Sequence, residues 1–388
     1  MKSKLHIIFL LSLLAISKIG YADNVQNIRY DNIVFKHIGI QQGLSHNTVN
    51  SIVQDNNGFM WFGTRNGLCR YDGYSIATYR HIKGDTTSIN HNFTSQLYSD
   101  KRRGVIWVSN QQGVASYNIK RDCFTTYDTD VDIRNCVFLE TIDGEILIGG
   151  NGGILKYDEE LNAFKRYLSE ASGYKMVNSI MQDESGLLWI LSNQSLSCYN
   201  PTFDRTELLP SSLQSIKRRC RAMYSLSNRY ILLVVDSGII LYDTTDDILS
   251  TLVSNSEYQQ VRCAELDAVG NIWIGTEDGI FIYDKEATQL AHYRQSRLDT
   301  SGLNDSPTYS IYRDESDNMW IGTYFGGVNY FLAGSDAFHQ LSFGYTKKHL
   351  SGKVVRNIIN TPNDGLLFAT EDGGLNYMDN NHKGTSKN

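Results

Sequence analysis

Proline is scarce in this sequence, with four residues in a chain of 388, whereas glycine (32) and tyrosine (24) are plentiful. The 3.6-residue periodicity of amphipathic helices is missing after the first 22 residues. Scarce proline argues against a proline-rich disordered chain, and the missing periodicity argues against helical repeats. The composition instead indicates tight glycine turns that join short, aromatic-rich strands.

An excess of positive charge is also absent, because 36 basic residues face 42 acidic ones and the formal net charge is −6. Removing residues 1–22 takes away three lysines and no acid, so the charge becomes −9. An acidic surface without a basic stripe repels phosphate backbones. We therefore expect no nucleic-acid partner.

Long hydrophobic runs are absent after the N-terminus, so no membrane span is expected there. The one apolar run, from Ile7 to Ile16, follows Lys2 and Lys4 and precedes the small-x-small sequence 20–22. This layout predicts a cleaved signal peptide over residues 1–22 and export to the periplasm. An uncleaved anchor is the alternative, but about ten apolar residues are short for a bilayer.

Metal-site spacings are missing as well. The sequence has six cysteines, of which none lies in a CxxC pattern, and no histidine is placed to complete a zinc knuckle. We expect no metal and no cofactor. Exported proteins can form disulfides, but the sequence does not pair these cysteines, and buried thiols on strands are the alternative.

The sequence does contain a repeated phrase. D-x-x-G-x-x-W-x-G-T-x-x-G-[LI]-x-x-Y-D spans residues 55–72 and again 267–284, a third copy spans 314–330, and weaker copies follow the same order. The repeats are anchored at intervals of 40 to 47 residues by Tyr71, Tyr117, Tyr157, Tyr199, Tyr242, Tyr283, Tyr330 and Tyr377. This period, with strands of five or six residues, predicts a β-propeller of four-stranded antiparallel blades.

The first copy predicts four strands, at residues 50–55, 59–64, 67–72 and 77–80. Asp55 to Gly58 forms the first hairpin, because Asp accepts backbone N–H groups and Gly tolerates positive φ. Trp61 recurs regularly, so we interpret it as core and not as a sugar platform. Gly63 lacks a side chain, as expected where neighbouring blades crowd near the axis.

The blade count has two solutions. The segment from Phe35 to Ile38 looks like an isolated outer strand, which closes a propeller by pairing with a C-terminal blade. Eight repeats predict an eight-bladed ring. The last repeat lacks an outer strand, however, and a seven-bladed ring followed by a fragment is the favoured alternative.

The segment "FKHIGIQQGLSHNTVNSIVQDNNGFMWFGTRNGLCRYDGY" (residues 35–74) strongly resembles the start of the two-component regulator propeller sensors, the periplasmic halves of Bacteroides-type hybrid two-component systems. The resemblance covers about residues 33–379. It implies two seven-bladed propellers, a β-sandwich, one membrane helix and a histidine kinase, with homodimers formed through the full-length sensor. This sequence departs from that pattern after residue 379, where no sandwich, membrane helix or kinase follows. We expect a signal peptide at 1–22 and a propeller at 23–345. Residues 346–388 begin a second propeller or close an eight-bladed ring.

The resemblance also implies an oligosaccharide ligand, and the variable loops at one end of the blades are where a repeated scaffold carries function. Sugar recognition needs planar polar side chains and an aromatic platform. The candidate ligand-binding residues are His46, Arg65, Asn66, His91, Glu277, Asp278, Tyr324 and Phe325. For each one alone, a solvated loop residue is the alternative.

Three functions remain open at this stage. The favoured one is a periplasmic domain that senses glycan-derived oligosaccharides for a two-component system and is not itself an enzyme. A protein-interaction scaffold is the second. The third is a propeller glycosidase or lyase, for which Glu277 and Asp278 are the only acids singled out; a glycosidase needs two carboxylates flanking one bond.

Overall fold

The computed structural model describes Tyr30 and residues 33–169, 173–254, 260–299, 301–333, 341, 343, 349–362, 365–379 and 385–387. The predicted signal peptide lies outside these residues. The described part of the chain forms 32 strands and two short 3₁₀ turns, Ile40–Gln42 and Ser211–Leu213, so the all-β prediction is confirmed. None of its helices has the length and apolar character that crossing a membrane requires.

Counting the first strand, β1 (Lys36–Ile38), the 32 strands form eight antiparallel sheets of four. Blades 1 and 2 comprise β2 (Val49–Gln54), β3 (Met60–Thr64), β4 (Gly67–Tyr71) and β5 (Ile76–Tyr79), then β6 (Thr94–Asp100), β7 (Val105–Asn110), β8 (Gly113–Asn118) and β9 (Cys123–Tyr127). Blades 3 and 4 comprise β10 (Val137–Glu140), β11 (Ile146–Gly150), β12 (Gly153–Asp158) and β13 (Ala163–Ser169), then β14 (Val177–Gln182), β15 (Leu188–Ser192), β16 (Ser195–Asn200) and β17 (Arg205–Glu207).

Blades 5 and 6 comprise β18 (Cys220–Ser225), β19 (Tyr230–Val235), β20 (Gly238–Asp243) and β21 (Ile248–Ser254), then β22 (Val261–Leu266), β23 (Ile272–Thr276), β24 (Gly279–Tyr283) and β25 (Gln289–Tyr293). Blade 7 combines β26 (Thr308–Arg313), β27 (Met319–Thr323) and β28 (Val328–Phe331) with β1. The eighth sheet comprises β29 (Val355–Asn360), β30 (Leu366–Thr370), β31 (Gly374–Met378) and β32 (Thr385–Lys387). Because β32 pairs with β31 as an outer strand, the prediction that the last repeat lacks one is wrong. The four strands predicted for the first repeat agree with blade 1 to within one residue.

The repeated aspartate and tryptophan are bonded to each other. In blade 1, one carboxylate oxygen of Asp55 accepts the N–H groups of Asn57 (2.8 Å) and Phe59 (3.0 Å), and the other accepts the indole N–H of Trp61 (2.8 Å). Asp55 and Trp61 are both fully buried. The same indole bond joins four further pairs, at 2.8–3.1 Å: Trp107 with Asp100, Trp189 with Asp183, Trp273 with Asp267 and Trp320 with Asp314. The predictions of a turn-forming Asp and a core Trp are therefore confirmed.

The copies without tryptophan also lack this aspartate. Leucine occupies the tryptophan position at residues 147, 232 and 367, and six residues earlier the chain has Thr141, Leu226 and Thr361. Thr141 holds its turn through the hydroxyl, which accepts the N–H of Glu145 at 3.1 Å. Asp143, which the sequence places in this turn, is exposed. A buried aspartate thus occurs where an indole N–H needs an acceptor.

Neighbouring blades approach most closely at a repeated glycine. A Cβ atom on Gly63 would lie 2.7 Å from Cγ2 of Thr94 in blade 2, and one on Gly322 would lie 2.8 Å from the carbonyl oxygen of Val49 in blade 1. Real Cβ atoms do not approach so closely. The prediction that Gly63 marks crowding between blades is confirmed.

The N-terminal strand completes blade 7. β1 pairs antiparallel with β28, so that Lys36 lies opposite Tyr330 and Ile38 lies opposite Val328. Blade 1 packs against blade 7 through a shared buried cluster that includes Phe62 and Trp320. The contact closes a ring of seven sheets and favours the seven-bladed alternative. The domain boundary at residue 345 stays a prediction.

The eighth sheet has apolar residues at the core positions of a blade, but in the described part of the chain these residues are not buried against a neighbouring blade. Val355, Ile358 and Ile359 on its first strand are 39%, 56% and 50% exposed. Their counterparts in blade 1, at positions 49, 52 and 53, are at most 7% exposed. This sheet therefore lacks a packed neighbour on its first strand among the described residues.

All six cysteines are free thiols, and five of them lie on strands: Cys69, Cys123, Cys198, Cys220 and Cys263. Burial raises the pKa of the Cys136, Cys198 and Cys220 thiols to about 12. These thiols fill space in the sheets, in agreement with the alternative of buried strand cysteines.

Candidate functional site

One end of the ring, the mouth face, collects two sets of loops. The inner and second strands of each blade run antiparallel, with Val49 opposite Thr64 and Thr308 opposite Thr323. The loop that leads into an inner strand therefore lies beside the loop that joins the second and third strands. This is the face to which the candidate residues were assigned from the sequence.

The second residue of the inner strand is a β-bulge in seven of the eight sheets in the described part of the chain. A bulge leaves one residue out of the ladder and redirects its side chain. The bulge residues are Asn50, Ser95, Asn178, Arg221, Arg262, Tyr309 and Arg356.

Several bulge side chains meet the residue 15 positions later, which begins the loop between the second and third strands. Arg221 binds Asp236 at 2.7 Å, and Arg356 binds Glu371 at 2.7 Å. Nε of Arg262 donates to Glu277 at 2.7 Å. In blade 7 both positions are aromatic, and the rings of Tyr309 and Tyr324 stack with centroids 5.2 Å apart at 28°.

These contacts join three blades across the closure of the ring. The guanidinium of Arg262 lies 4.7 Å from the ring centroid of Tyr309, within cation–π range. Nη1 of Arg65, in blade 1, donates to the hydroxyl of Tyr324 at 3.4 Å. We call the series Arg262, Tyr309, Tyr324 and Arg65 the arginine–tyrosine ladder. Phe325 stands at its edge, 69% exposed, with its ring edge-on to Tyr324 at 4.4 Å.

The structure brings five of the eight predicted residues into this region. Arg65 and Tyr324 belong to the ladder, Glu277 holds its terminal arginine, and Phe325 adjoins it. His46 lies nearby: burial, and then the charge of Arg65, lower the pKa of its imidazole. Nδ1 of His46 accepts the N–H of Thr48 at 2.9 Å.

The other three predicted residues lie apart from the ladder. The carbonyl oxygen of Asn66 accepts a hydrogen bond from Nε of Arg80, which lies just beyond the outer strand β5. The carbonyl oxygen of Asp278 accepts one from Nε2 of His292, which lies on the outer strand β25. Nδ1 of His91 accepts the N–H of Phe93, so this side chain supports its own turn in blade 2. Their role in ligand binding stays a prediction.

Two members of the ladder, Arg262 and Tyr309, were missed by sequence reasoning. Both lie on inner strands, β22 and β26. From the sequence these strands are interpreted as part of the scaffold, because apolar residues of the core alternate along them. The sequence does contain a signal for these positions. An arginine precedes an acidic residue by 15 positions in three repeats, at 221/236, 262/277 and 356/371, and a tyrosine precedes a tyrosine by the same spacing at 309/324. A repeated spacing of this kind indicates two positions that face each other.

Other features of the mouth face are modest. A shallow depression between blades 3 and 4 is lined by Asn151, Gly152, Lys175, Met176 and Asn193. No group of three or more His, Cys, Asp or Glu side chains that could hold a metal ion occurs within the described ranges. The polar chemistry of this face is thus that of guanidinium, carboxylate and amide groups beside aromatic rings.

Residues 43–66 and 302–325 match the family model described as "Two component regulator propeller". Each match ends at the loop between the second and third strands, in blades 1 and 7. The resemblance stated from the sequence is confirmed. A stretch of 58 residues is also 45% identical to histidine kinase P4 of Formosa agariphila, over 15% of this chain and 4% of that protein.

Solved structures share the fold. The extracellular domains of two hybrid two-component systems of B. thetaiotaomicron superpose with TM-scores of 0.73 and 0.64, at 24% and 18% identity, over 92% of this chain. They are longer, since the match covers 49% and 54% of their chains. A catalytically inactive virginiamycin B lyase from Staphylococcus aureus superposes at 0.59 with 12% identity, over 78% of this chain and 99% of the lyase. These likenesses show a propeller fold.

Proposed function

We propose that this chain, a two-component regulator propeller by its repeats, is the exported ligand-sensing part of a two-component system. The ligand is an oligosaccharide derived from a glycan, and it binds at the mouth face. The matched family and the extracellular domains with the same fold support the sensor role. The ligand class rests on the chemistry of the mouth.

The arginine–tyrosine ladder is the observation that carries this proposal. A sugar ring presents an apolar face and a set of hydroxyl pairs, so it is bound by an aromatic surface beside planar polar groups. Phe325 is an aromatic side chain that is mostly exposed, and Tyr324 supports it from the side. Arg65 and Glu277 supply planar groups on either side of the tyrosines.

Signal output in this proposal requires a histidine kinase module and a homodimer of the full-length sensor. Ligand held between blades 6, 7 and 1 contacts the place where the first and last blades meet. Blade 7 is also the blade that β1 completes, so the proposed site lies on a blade that takes part in the closure of the ring.

We expect the double substitution Tyr324→Ala/Phe325→Ala to weaken binding of the recognised oligosaccharide about tenfold or more, since it removes the aromatic surface. Isothermal titration calorimetry against a panel of glycan fragments measures this. Tyr74→Ala is the matched control, because Tyr74 is 98% exposed but lies in the loop between β4 and β5, on the opposite face.

Equal losses for both variants would contradict a site at the mouth. If no oligosaccharide binds and a protein partner is recovered on the same face, the chain is an interaction scaffold, which is the second candidate function.

An enzyme is the third candidate, and the likeness to the virginiamycin B lyase is the observation that favours it. Geometry argues against a pair of acids: Glu277 binds Arg262 toward the axis, whereas the carboxylate of Asp278 lies 3.6 Å from His292 on the outer strand. Product release from an oligosaccharide that stops in Glu277→Gln or Asp278→Asn would establish catalysis instead of sensing.

A further inference from the structure

Arginines without an acidic partner are concentrated on the mouth face. Ten arginines among the described residues form ion pairs with Asp or Glu, and eight do not. Six of these eight lie in mouth-face loops or at the ends of outer strands that reach that face: Arg65, Arg80, Arg218, Arg219, Arg294 and Arg297. Such a concentration is unexpected in a chain whose net charge is −6.

Arg218 and Arg219 lie at the mouth of blade 5. They directly precede β18, whose first residue Cys220 lies opposite Val235 at the end of β19. The carbonyl of the adjacent Lys217 accepts the N–H of Leu196, which places this loop against the mouth-face loop of blade 4. Both arginines are exposed. With the ladder, they form an arc of basic side chains over blades 5, 6, 7 and 1.

Two acids in the described part of this arc are paired with arginines. Asp236 binds Arg221, and Glu277 binds Arg262, so each pair is close to neutral. Asp305 is 8% exposed and accepts the N–H of Phe325 at 2.6 Å. Among the described residues of the inner rim, Arg65, Arg218 and Arg219 are the arginines that have no acidic partner.

We propose that the oligosaccharide bound at the mouth is anionic and carries a uronic acid carboxylate or a sulfate ester, which these guanidinium groups bind. This inference rests on the proposed function. A guanidinium presents two parallel N–H donors that match the oxygens of a carboxylate or sulfate. Arg65 is the best placed, because its contact with Tyr324 holds it beside the aromatic surface on which a sugar ring would stack.

An anionic and a neutral ligand should respond in opposite directions to removal of the Glu277 charge. Glu277→Gln removes the negative charge that neutralises Arg262, so an anionic ligand should bind this variant several-fold tighter. If instead Glu277 accepted hydroxyl groups of a neutral sugar, the same substitution would weaken binding.

Three tetrasaccharides serve as probes of the whole chain in calorimetry: tetragalacturonate for carboxylates, a chondroitin sulfate tetrasaccharide for sulfate esters, and maltotetraose as the neutral reference. We expect one anionic probe to bind at least tenfold tighter than maltotetraose. Arg65→Gln and the double substitution Arg218→Gln/Arg219→Gln should each raise its Kd roughly fivefold. The preference should shrink at high salt, because exposed charges are screened.

Arg121→Gln is the matched control, since Arg121 is an exposed arginine in the loop between β8 and β9 on the opposite face. Its Kd should not change. If neutral and anionic probes bind equally well, and the Arg65 and Arg218/Arg219 variants have an unchanged Kd, the proposal of an anionic ligand is wrong. That result would still agree with an oligosaccharide sensor. Failure of all three probes to bind would overturn this inference, and silence across the wider glycan panel would overturn the proposed function too.

Discussion

A chain that begins at residue 44 is expected to lose its cooperative unfolding transition, because the ring can no longer close. The deletion removes β1 from blade 7, together with Phe35, whose ring packs edge-on against Tyr293 at 5.3 Å and is 3% exposed. Losing one buried Phe side chain costs about 3–5 kcal/mol, against a typical total stability of about 5–15 kcal/mol. Thermal unfolding followed by circular dichroism measures the effect.

The matched truncation removes residues 346–388, and with them the eighth sheet. The buried cluster around Phe368 in this sheet does not include residues of blades 1 to 7. Among the described residues, His349 contacts the ring through Asp299, at 3.3 Å, and through the hydroxyl of Ser301, at 3.4 Å. We therefore expect the unfolding free energy of the ring to change by about 1 kcal/mol or less. An eight-bladed ring would behave in the opposite way, with the C-terminal truncation opening it.

Asp55→Ala is expected to lower the free energy of unfolding by about 4 kcal/mol, because it leaves three N–H donors without their acceptor, one of them the buried indole of Trp61. They are the backbone groups of Asn57 and Phe59 and the indole of Trp61. Asp55→Asn keeps the shape but replaces one acceptor oxygen by an NH₂ group, so its loss should be intermediate. Denaturant unfolding gives both values.

Asp143→Ala is the control for this substitution, because Asp143 is exposed in the corresponding turn of blade 3, where leucine replaces the tryptophan. Its effect should stay within about 0.5 kcal/mol. The double variant Asp55→Ala/Trp61→Phe should lose less than the sum of the single losses, because the indole donor is gone. Additive losses would show that the aspartate stabilises the turn alone.

Part of the candidate site could be predicted from the repeats. The sequence identified the loops, and within them Arg65, Glu277, Tyr324 and Phe325, because loop residues differ between copies while strand residues stay alike. It did not separate Glu277 from Asp278. These are adjacent in sequence, yet the Glu277 carboxylate binds Arg262 on the inner strand, whereas the Asp278 carboxylate lies 3.6 Å from His292 on the outer strand. The direction of each side chain depends on which strand lies beside it in the folded protein, and this neighbour is set by tertiary contacts.

The sequence by itself determined the strands, the turns and the pairing of each tryptophan with an aspartate. Hydrogen bonds such as that of Asp55 with Trp61 span six or seven residues, so each of the five copies that has the tryptophan carries both partners. Eight repeats read in this way left the closure of the ring undecided.

Only the tertiary structure decided that the seventh blade takes β1 and that Arg65 reaches Tyr324. These contacts join residues about 260 to 290 positions apart. They depend on the small rotation between successive blades, which accumulates around the axis until the first and last sheets meet. A sequence pattern within one repeat does not reveal this accumulated rotation, so the closure of the ring could not be predicted from the repeats.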